Sequence, residues 1–195
     1  MTTTPTHPPT TINGAPVEIR PGDTILSAAA RVGIDIPTLC HASGLEAEGG
    51  CRMCLVEIEG QRLQAACHTP IIPGMNIRTA TPRLHALRQD LLSLTLSALP
   101  PGACTPRNDG TRFERMLADH GVNGSDFGHH AEARPLDDSH PYMRFDRSKC
   151  ITCRLCLNAC EQIQGQFVYG IEGRAGETRL IFGPTERFAD SDCVS

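Results

Sequence analysis

Nine of the ten cysteines fall into two groups at metal-ligand spacing. Cys40, Cys51, Cys54 and Cys67 follow C-x10-C-x2-C-x12-C. Cys150, Cys153, Cys156 and Cys160 follow C-x2-C-x2-C-x3-C, and Cys193 comes later. Two residues between Cys51 and Cys54 let one turn present both thiolates to a single metal centre. Gly49-Gly50 just before Cys51 lets backbone N–H groups come close to sulfur. Such hydrogen bonds stabilise the charge of a thiolate-ligated cluster and help set its potential. Ten cysteines in 195 residues mean either disulfides or metal. The opening MTTTPTHPPT has neither the basic nor the apolar region of a secretory signal. The sequence therefore favours metal in an intracellular, cytoplasmic chain.

Composition removes other classes. Lys and Arg number 18 against 22 Asp and Glu, a net charge of −4, which argues against a phosphate-binding surface for nucleic acid. Aromatics are 4% with no Trp, so there is little surface for stacking bases. No window of 18 apolar residues exists, and no membrane span is expected. No residue stands out as a catalytic acid, base or nucleophile. His129-His130 has no partner at ligand spacing and reads as a pair of solvated loop histidines.

The elements that must position the first group are legible. Asn13-Gly14 signals a hairpin, with Ile12 before it and Val17 and Ile19 alternating after it. Asp23 or Thr24 caps a helix over TILSAAARV with Ile25, Ala28, Ala29 and Val32 on one face, and Gly33 follows it. A loop then holds Cys40 and Cys51. LVEIEG (55–60) and QRLQAA (61–66) alternate as two strands about Gly60, and Ile77–Thr79 gives a last short strand. Pro82 opens a helix over PRLHALRQDLLSLTLSAL, ended by Pro100-Pro101-Gly102. Residues 103–140 read as a surface linker with one short helix at Arg112–His120. From Tyr142 a cysteine module follows, with strand candidates at Phe167–Ile171 and Arg179–Phe182.

Zinc is the rival to iron at the first group, since four cysteines also make a structural zinc site. A single C-x2-C with two lone cysteines favours iron, as does the order hairpin, helix, cysteine loop, hairpin. That order is the β-grasp arrangement of plant-type ferredoxins, with a longer loop than their C-x4-C-x2-C. The residues PTLC…GGCRMCLVEIEG…AAC resemble the N-terminal [2Fe–2S] domain common to the large iron–sulfur subunit of complex I, diaphorase subunits of bidirectional hydrogenases and NAD-linked formate dehydrogenases. The resemblance covers about 12–80 and implies a [2Fe–2S] cluster on Cys40, Cys51, Cys54 and Cys67. His41 and His68 adjoin ligand cysteines but lack the C-x-H pairs of a Rieske site, and read as groups behind the ligands or at the surface.

In that family the long helix is followed by H-x3-C-x2-C-x5-C, which binds a [4Fe–4S] cluster. Here Cys104 stands at the middle cysteine, and Ser97, Pro101 and Gly110 occupy the other ligand positions. One thiolate cannot hold a cubane, so that cluster is expected to be absent and Cys104 to be a leftover thiol. This departure points away from complex I and hydrogenase subunits and towards formate dehydrogenase subunits in which the motif has decayed.

CITCRLCLNAC has the spacing of the bacterial ferredoxin run, with Glu161 in place of the usual Pro. SHPYMRFDRSKC before it and EQIQGQFVYGIEGR after it resemble the molybdenum formate dehydrogenase alpha subunit. The resemblance implies one [4Fe–4S] cluster using Cys150, Cys153 and Cys156. Cys160 and Cys193 would serve a second cluster, in which Cys193 opens another run that the sequence does not complete. One of the two as fourth ligand of a single cubane is the alternative. The chain thus reads as the first part of a larger subunit cut short.

The fold expected is α+β: a tail over 1–10, a β-grasp [2Fe–2S] ferredoxin domain over 11–80, a helix and linker with the degenerate one-histidine, three-cysteine segment over 81–140, and an incomplete [4Fe–4S] ferredoxin-type module over 141–195. The resemblance implies the electron-transfer portion of a formate dehydrogenase. A molybdenum-pterin domain, in cis or in trans, would oxidise formate, and electrons would pass through the clusters to flavin- and NAD-binding diaphorase partners. The alternatives are a small diaphorase-type subunit of a bidirectional hydrogenase and, in another class, a zinc-stabilised interaction protein without redox activity.

Overall fold

The computed structural model describes residues 8–183 and 187–193. The chain divides into two units. One runs to His41 and from Ala47 to Arg88; the other comprises Ala42–Glu46 and the chain from Gln89 onward.

In the first unit, Asn13 and Gly14 both take positive φ, 53° and 82°, as a tight two-residue hairpin requires. They join β1 (Thr11–Ile12) to β2 (Ala15–Pro16). Helix α1 (Ile25–Arg31) is capped by Thr24 rather than Asp23. The Thr24 side chain accepts from the Ser27 N–H, and Ser27 returns the bond to the Thr24 N–H, a capping box. Asp23 instead grips Arg31 at 2.7 Å, and this pairing holds its carboxyl below the ordinary range. Strands β3 (Leu55–Ile58), β4 (Gln64–Ala65) and β5 (Asn76–Arg78) complete a sheet of order β2-β1-β5-β3-β4. β1 and β5 are parallel, and β3 is antiparallel to both β5 and β4. Ile25, Ala28 and Ala29 of α1 pack with Ile12, Val56, Ile58 and Ile77 of the sheet, and Cys54 and Cys67 belong to the same core.

Several expectations shift in detail. The strand expected over 61–66 shrinks to Gln64–Ala65 because the chain after the turn at Gly60 stays irregular through Leu63. Of the tail expected over 1–10, the first seven residues lie outside the described residues. Thr10 is not tail: it is buried, donates to the Ile72 carbonyl and accepts from the Gly74 N–H.

Helix α2 (Pro82–Ser97) starts at the expected proline, with the Thr81 hydroxyl accepting from the Leu84 N–H, and ends two residues early. The His130 N–H donates to the Ser97 carbonyl, and the His129 ring lies 2.9 Å from the Leu99 carbonyl. The histidine pair is therefore exposed but engaged in closing the end of α2. In the second unit, α3 (Arg112–Asp119) has a Thr111–Glu114 capping box. Helix α4 (Leu155–Gln162), not anticipated from the cysteine spacing, carries Cys156 and Cys160 one turn apart. Strands β6 (Tyr169–Glu172) and β7 (Arg179–Phe182) form an antiparallel ribbon. Phe182 is fully buried, with Phe145, Tyr169 and Phe188 edge-on at 4.8, 5.7 and 5.2 Å between ring centroids. Asp137 falls within the expected linker but pairs with Phe145 through the backbone and accepts the Phe188 N–H at 2.7 Å, so it packs with the cysteine module. Among the described residues no helix is long and apolar enough to cross a membrane.

Candidate metal centre

The loop between α1 and β3 is wound by left-handed residues. Gly44, Gly49 and Arg52 have φ of 84°, 64° and 58°. Among the described residues only four non-glycines have positive φ, and three stand inside C-x2-C segments: Arg52, Thr152 and Arg154. Left-handed backbone is unfavourable for such residues. Here it reverses the chain between cysteines so that neighbouring thiols turn to one side. Sequence spacing names the cysteines but not this device, since nothing in Arg or Thr signals positive φ.

Cys40, Cys54 and Cys67 are buried and Cys51 is half-buried; none is in a disulfide. They form two pairs. Cys40 hydrogen-bonds to Cys51, and Cys54 to Cys67, with Cys51 close enough to Cys54 for their charges to interact. The Cys51 N–H donates to the Cys40 sulfur at 3.4 Å, and the Gly50 N–H points at the same sulfur. The Met53 N–H serves the Cys51 sulfur, and the Cys67 N–H the Cys54 sulfur. Within the first pair Cys40 donates its proton towards Cys51. The Cys51 thiol is thereby lowered to about 5 and the Cys40 thiol raised, with burial adding to the rise. Burial pushes the Cys54 thiol up to about 12, against the backbone bond from Cys67. Among the described residues no three His, Cys, Asp or Glu side chains converge on a single ion. Two thiol pairs served by backbone donors fit a binuclear centre that takes one pair per metal. Gly49 also has a packing reason: a Cβ there would lie 2.5 Å from Cδ2 of the exposed His68 ring.

In the second group, Cys150, Cys153 and Cys156 lie within electrostatic reach of one another. Burial and the two neighbouring thiols push Cys156 up to about 11, although one side of the residue is open to solvent. Cys156, Cys160 and Cys193 face a common cavity of about 430 Å³ with Met143, Val168 and Tyr169. Burial and these three cysteines raise the Tyr169 phenol to about 12. All five cysteines of the group are thus gathered in one module, with Cys156 shared between the two sets.

Cys104 keeps different company. It is buried near Glu114, Lys149 and Asp146, and burial pushes its thiol up to about 11. The Ser97 hydroxyl donates to the Leu94 carbonyl, and Gly110 lies tight against Glu114. These positions are filled by ordinary packing and capping.

The fold of the first unit and its four cysteines are those of a ferredoxin-type 2Fe-2S domain. Residues 9–82 match the 2Fe-2S iron-sulfur cluster binding domain family. Over 173 residues, 87% of the chain, it is 34% identical to the NADH-ubiquinone oxidoreductase 75 kDa subunit of Reclinomonas americana, covering 25% of that protein. It is 33% identical over 174 residues, 88% of the chain and 20% of the relative, to NADPH-Fe(3+) oxidoreductase subunit alpha of Geobacter sulfurreducens. A chain in the crystal structure of an NAD+-reducing [NiFe]-hydrogenase in the H2-reduced state superposes with a TM-score of 0.83 at 30% identity, covering 95% of this chain and 79% of that one. Over most of its length the chain is thus similar to subunits of NADH- and NADPH-linked oxidoreductases, and residues 9–82 match the 2Fe-2S domain within that likeness. It spans about a fifth to a quarter of the length of the curated relatives it matches.

Proposed function

We propose that this chain is the electron-wiring portion of an NAD-linked oxidoreductase, with a [2Fe–2S] cluster held by Cys40, Cys51, Cys54 and Cys67. The observation that carries the reading is the arrangement of these four thiols in two pairs, each served by backbone N–H donors. When bound, clusters of this kind take up and release one electron each without proton or group transfer. The protein's part is to hold and tune. Gly50, Cys51, Met53 and Cys67 direct N–H groups at the ligand sulfurs and so favour the negative charge of the site. Cys54 and Cys67 belong to the apolar core of the unit, which keeps water from their sulfurs.

In the second unit, Cys150, Cys153 and Cys156 hold a [4Fe–4S] cluster. Cys160 and Cys193 supply either its fourth ligand or part of a second cubane. The cavity common to Cys156, Cys160 and Cys193 supports both arrangements. The partners are flavin- and NAD-binding diaphorase subunits, and we assign the protein to the cytoplasm, where thiols stay reduced.

The electron source we favour is formate, oxidised at a molybdenum-pterin domain in cis or in trans. Support comes from the sequence around Cys150–Arg174 and from the ordinary packing of Ser97, Cys104 and Gly110 where a further cluster would need four ligands. A second reading, a small diaphorase-type subunit of a bidirectional hydrogenase, is favoured by the fold likeness to the NAD+-reducing hydrogenase chain. The native assembly containing this chain distinguishes them. Under anaerobic conditions formate, and not H2, reduces its clusters by EPR if the first reading holds. Reduction by H2 and not by formate supports the second.

A further inference from the structure

Arg88, on the second turn of α2, is a buried cation. The residue is 6% exposed. Nε donates to the Met53 carbonyl at 3.1 Å, and one terminal nitrogen donates to the Leu55 carbonyl at 3.1 Å and the Thr79 carbonyl at 2.9 Å. Among the described residues no carboxylate lies within ion-pair distance of it. Carbonyl oxygens satisfy N–H groups but do not neutralise a charge, and an uncompensated buried charge is costly. Met53 and Leu55 are the two neighbours of Cys54. Arg88 therefore clamps the backbone on both sides of one cysteine, and among the described residues a Cys54 thiolate favours its charged form against burial.

We propose that Arg88 sets the potential of the cysteine site: its buried guanidinium beside Cys54 is the counter-charge to the electron that the site accepts. The proposal rests on the reading of Cys40, Cys51, Cys54 and Cys67 as [2Fe–2S] ligands. A [2Fe–2S] cluster on four thiolates passes from a dianion to a trianion when it accepts one electron from the reductant. A fixed positive charge in a low-dielectric surround stabilises the trianion more than the dianion. Arg88 thus raises the midpoint potential, acting through Cys54 as a positioning and electrostatic residue. A strictly mechanical clamp would need the planar fork of arginine but not its charge.

The test uses the full chain, reconstituted with iron and sulfide, in potentiometric titrations followed at the reduced [2Fe–2S] EPR signal. Arg88→Lys keeps the charge and loses the fork; Arg88→Gln keeps hydrogen bonding and loses the charge. The expected result is that R88K reduces within about threefold of the wild-type equilibrium constant. R88Q should fall at least about tenfold, a shift of about 59 mV to more negative potential for one electron. Loss of iron from R88Q while R88K keeps both iron and potential also supports a requirement for charge. The proposal is overturned if R88Q titrates with the wild-type potential, if the two variants shift alike, or if both lose iron. A wild-type chain that gives no [2Fe–2S] signal would refute the ligand assignment itself, and is distinguished because no variant is needed to see it.

Discussion

Replacing Gly49 by alanine perturbs the cysteine loop at its tightest point. Gly49 has φ of 64°, a conformation that costs an alanine about 1–2 kcal/mol. The new Cβ would stand 2.5 Å from Cδ2 and 2.9 Å from Nε2 of His68. His68 is exposed, so its ring yields rather than the backbone, at about 0.5–1.5 kcal/mol for leaving its rotamer. The sum is about 1.5–3.5 kcal/mol. At about 4–8 °C per kcal/mol for a domain of this size, the thermal midpoint of the first unit should fall by roughly 6–28 °C. Circular dichroism of the anaerobic protein reads the midpoint, and hydrogen exchange at Val56 and Ile77 assigns the loss to the first unit. Adding His68→Ala should restore the ring's share and leave the backbone share. A midpoint for Gly49→Ala within about 2 °C of wild type would refute the argument from φ, because that cost has no route of relief. Equal losses in Gly49→Ala with and without His68→Ala would refute the packing part alone.

Three further outcomes are expected. In the metal-free chain at pH 7, iodoacetamide should label Cys51, lowered to about 5, ahead of Cys54 and Cys104, raised to about 12 and 11. Peptide mass mapping should show the Cys51 rate dropping as pH falls below about 5, where its thiolate is lost; earlier labelling of Cys104 would contradict this. Cys104→Ser should leave iron and sulfide content unchanged, since Cys104 sits with Glu114 and Lys149 rather than with other cysteines, and loss of iron would show it to be a ligand. Asp137→Ala leaves the Phe188 N–H without its acceptor and should cost about 1–3 kcal/mol in the second unit, read by hydrogen exchange at β7. Burial raises the Asp137 carboxyl, but bonds from Ser139 and Phe188 outweigh it and hold it below the ordinary range. The stabilisation is therefore complete above that range and lost as pH falls through the lower folded value.

The elements of the first unit were legible because each rests on a local signal. Asn13-Gly14 dictates its turn, Asp23-Thr24 marks the cap that Thr24 takes, and the alternation of Val56 and Ile58 marks their strand. The second unit was harder. Helix α4 begins directly after two left-handed residues, Thr152 and Arg154, and the short LCLNACEQ has neither a capping side chain nor a long apolar stripe. Asp137 joins its module through bonds to Phe145 and Phe188, the latter 51 positions away, a pairing that no local pattern encodes. The cysteines themselves were found by spacing, but their pairing was not. That Cys40 faces Cys51, and Cys54 faces Cys67, depends on how the loop returns to β4. Arg88 was invisible for the same reason: along the sequence it is one more polar residue of a helix, and only folding lays it against Met53, Leu55 and Thr79.

The most direct test of the central claim is the metal and sulfide content of the anaerobically purified full chain together with its EPR spectrum after reduction by dithionite. The expected result is a brown protein with iron and acid-labile sulfide, and a spin-half [2Fe–2S] signal that Cys54→Ser abolishes. A colourless protein loaded with zinc, or a signal unchanged in Cys54→Ser, would contradict it.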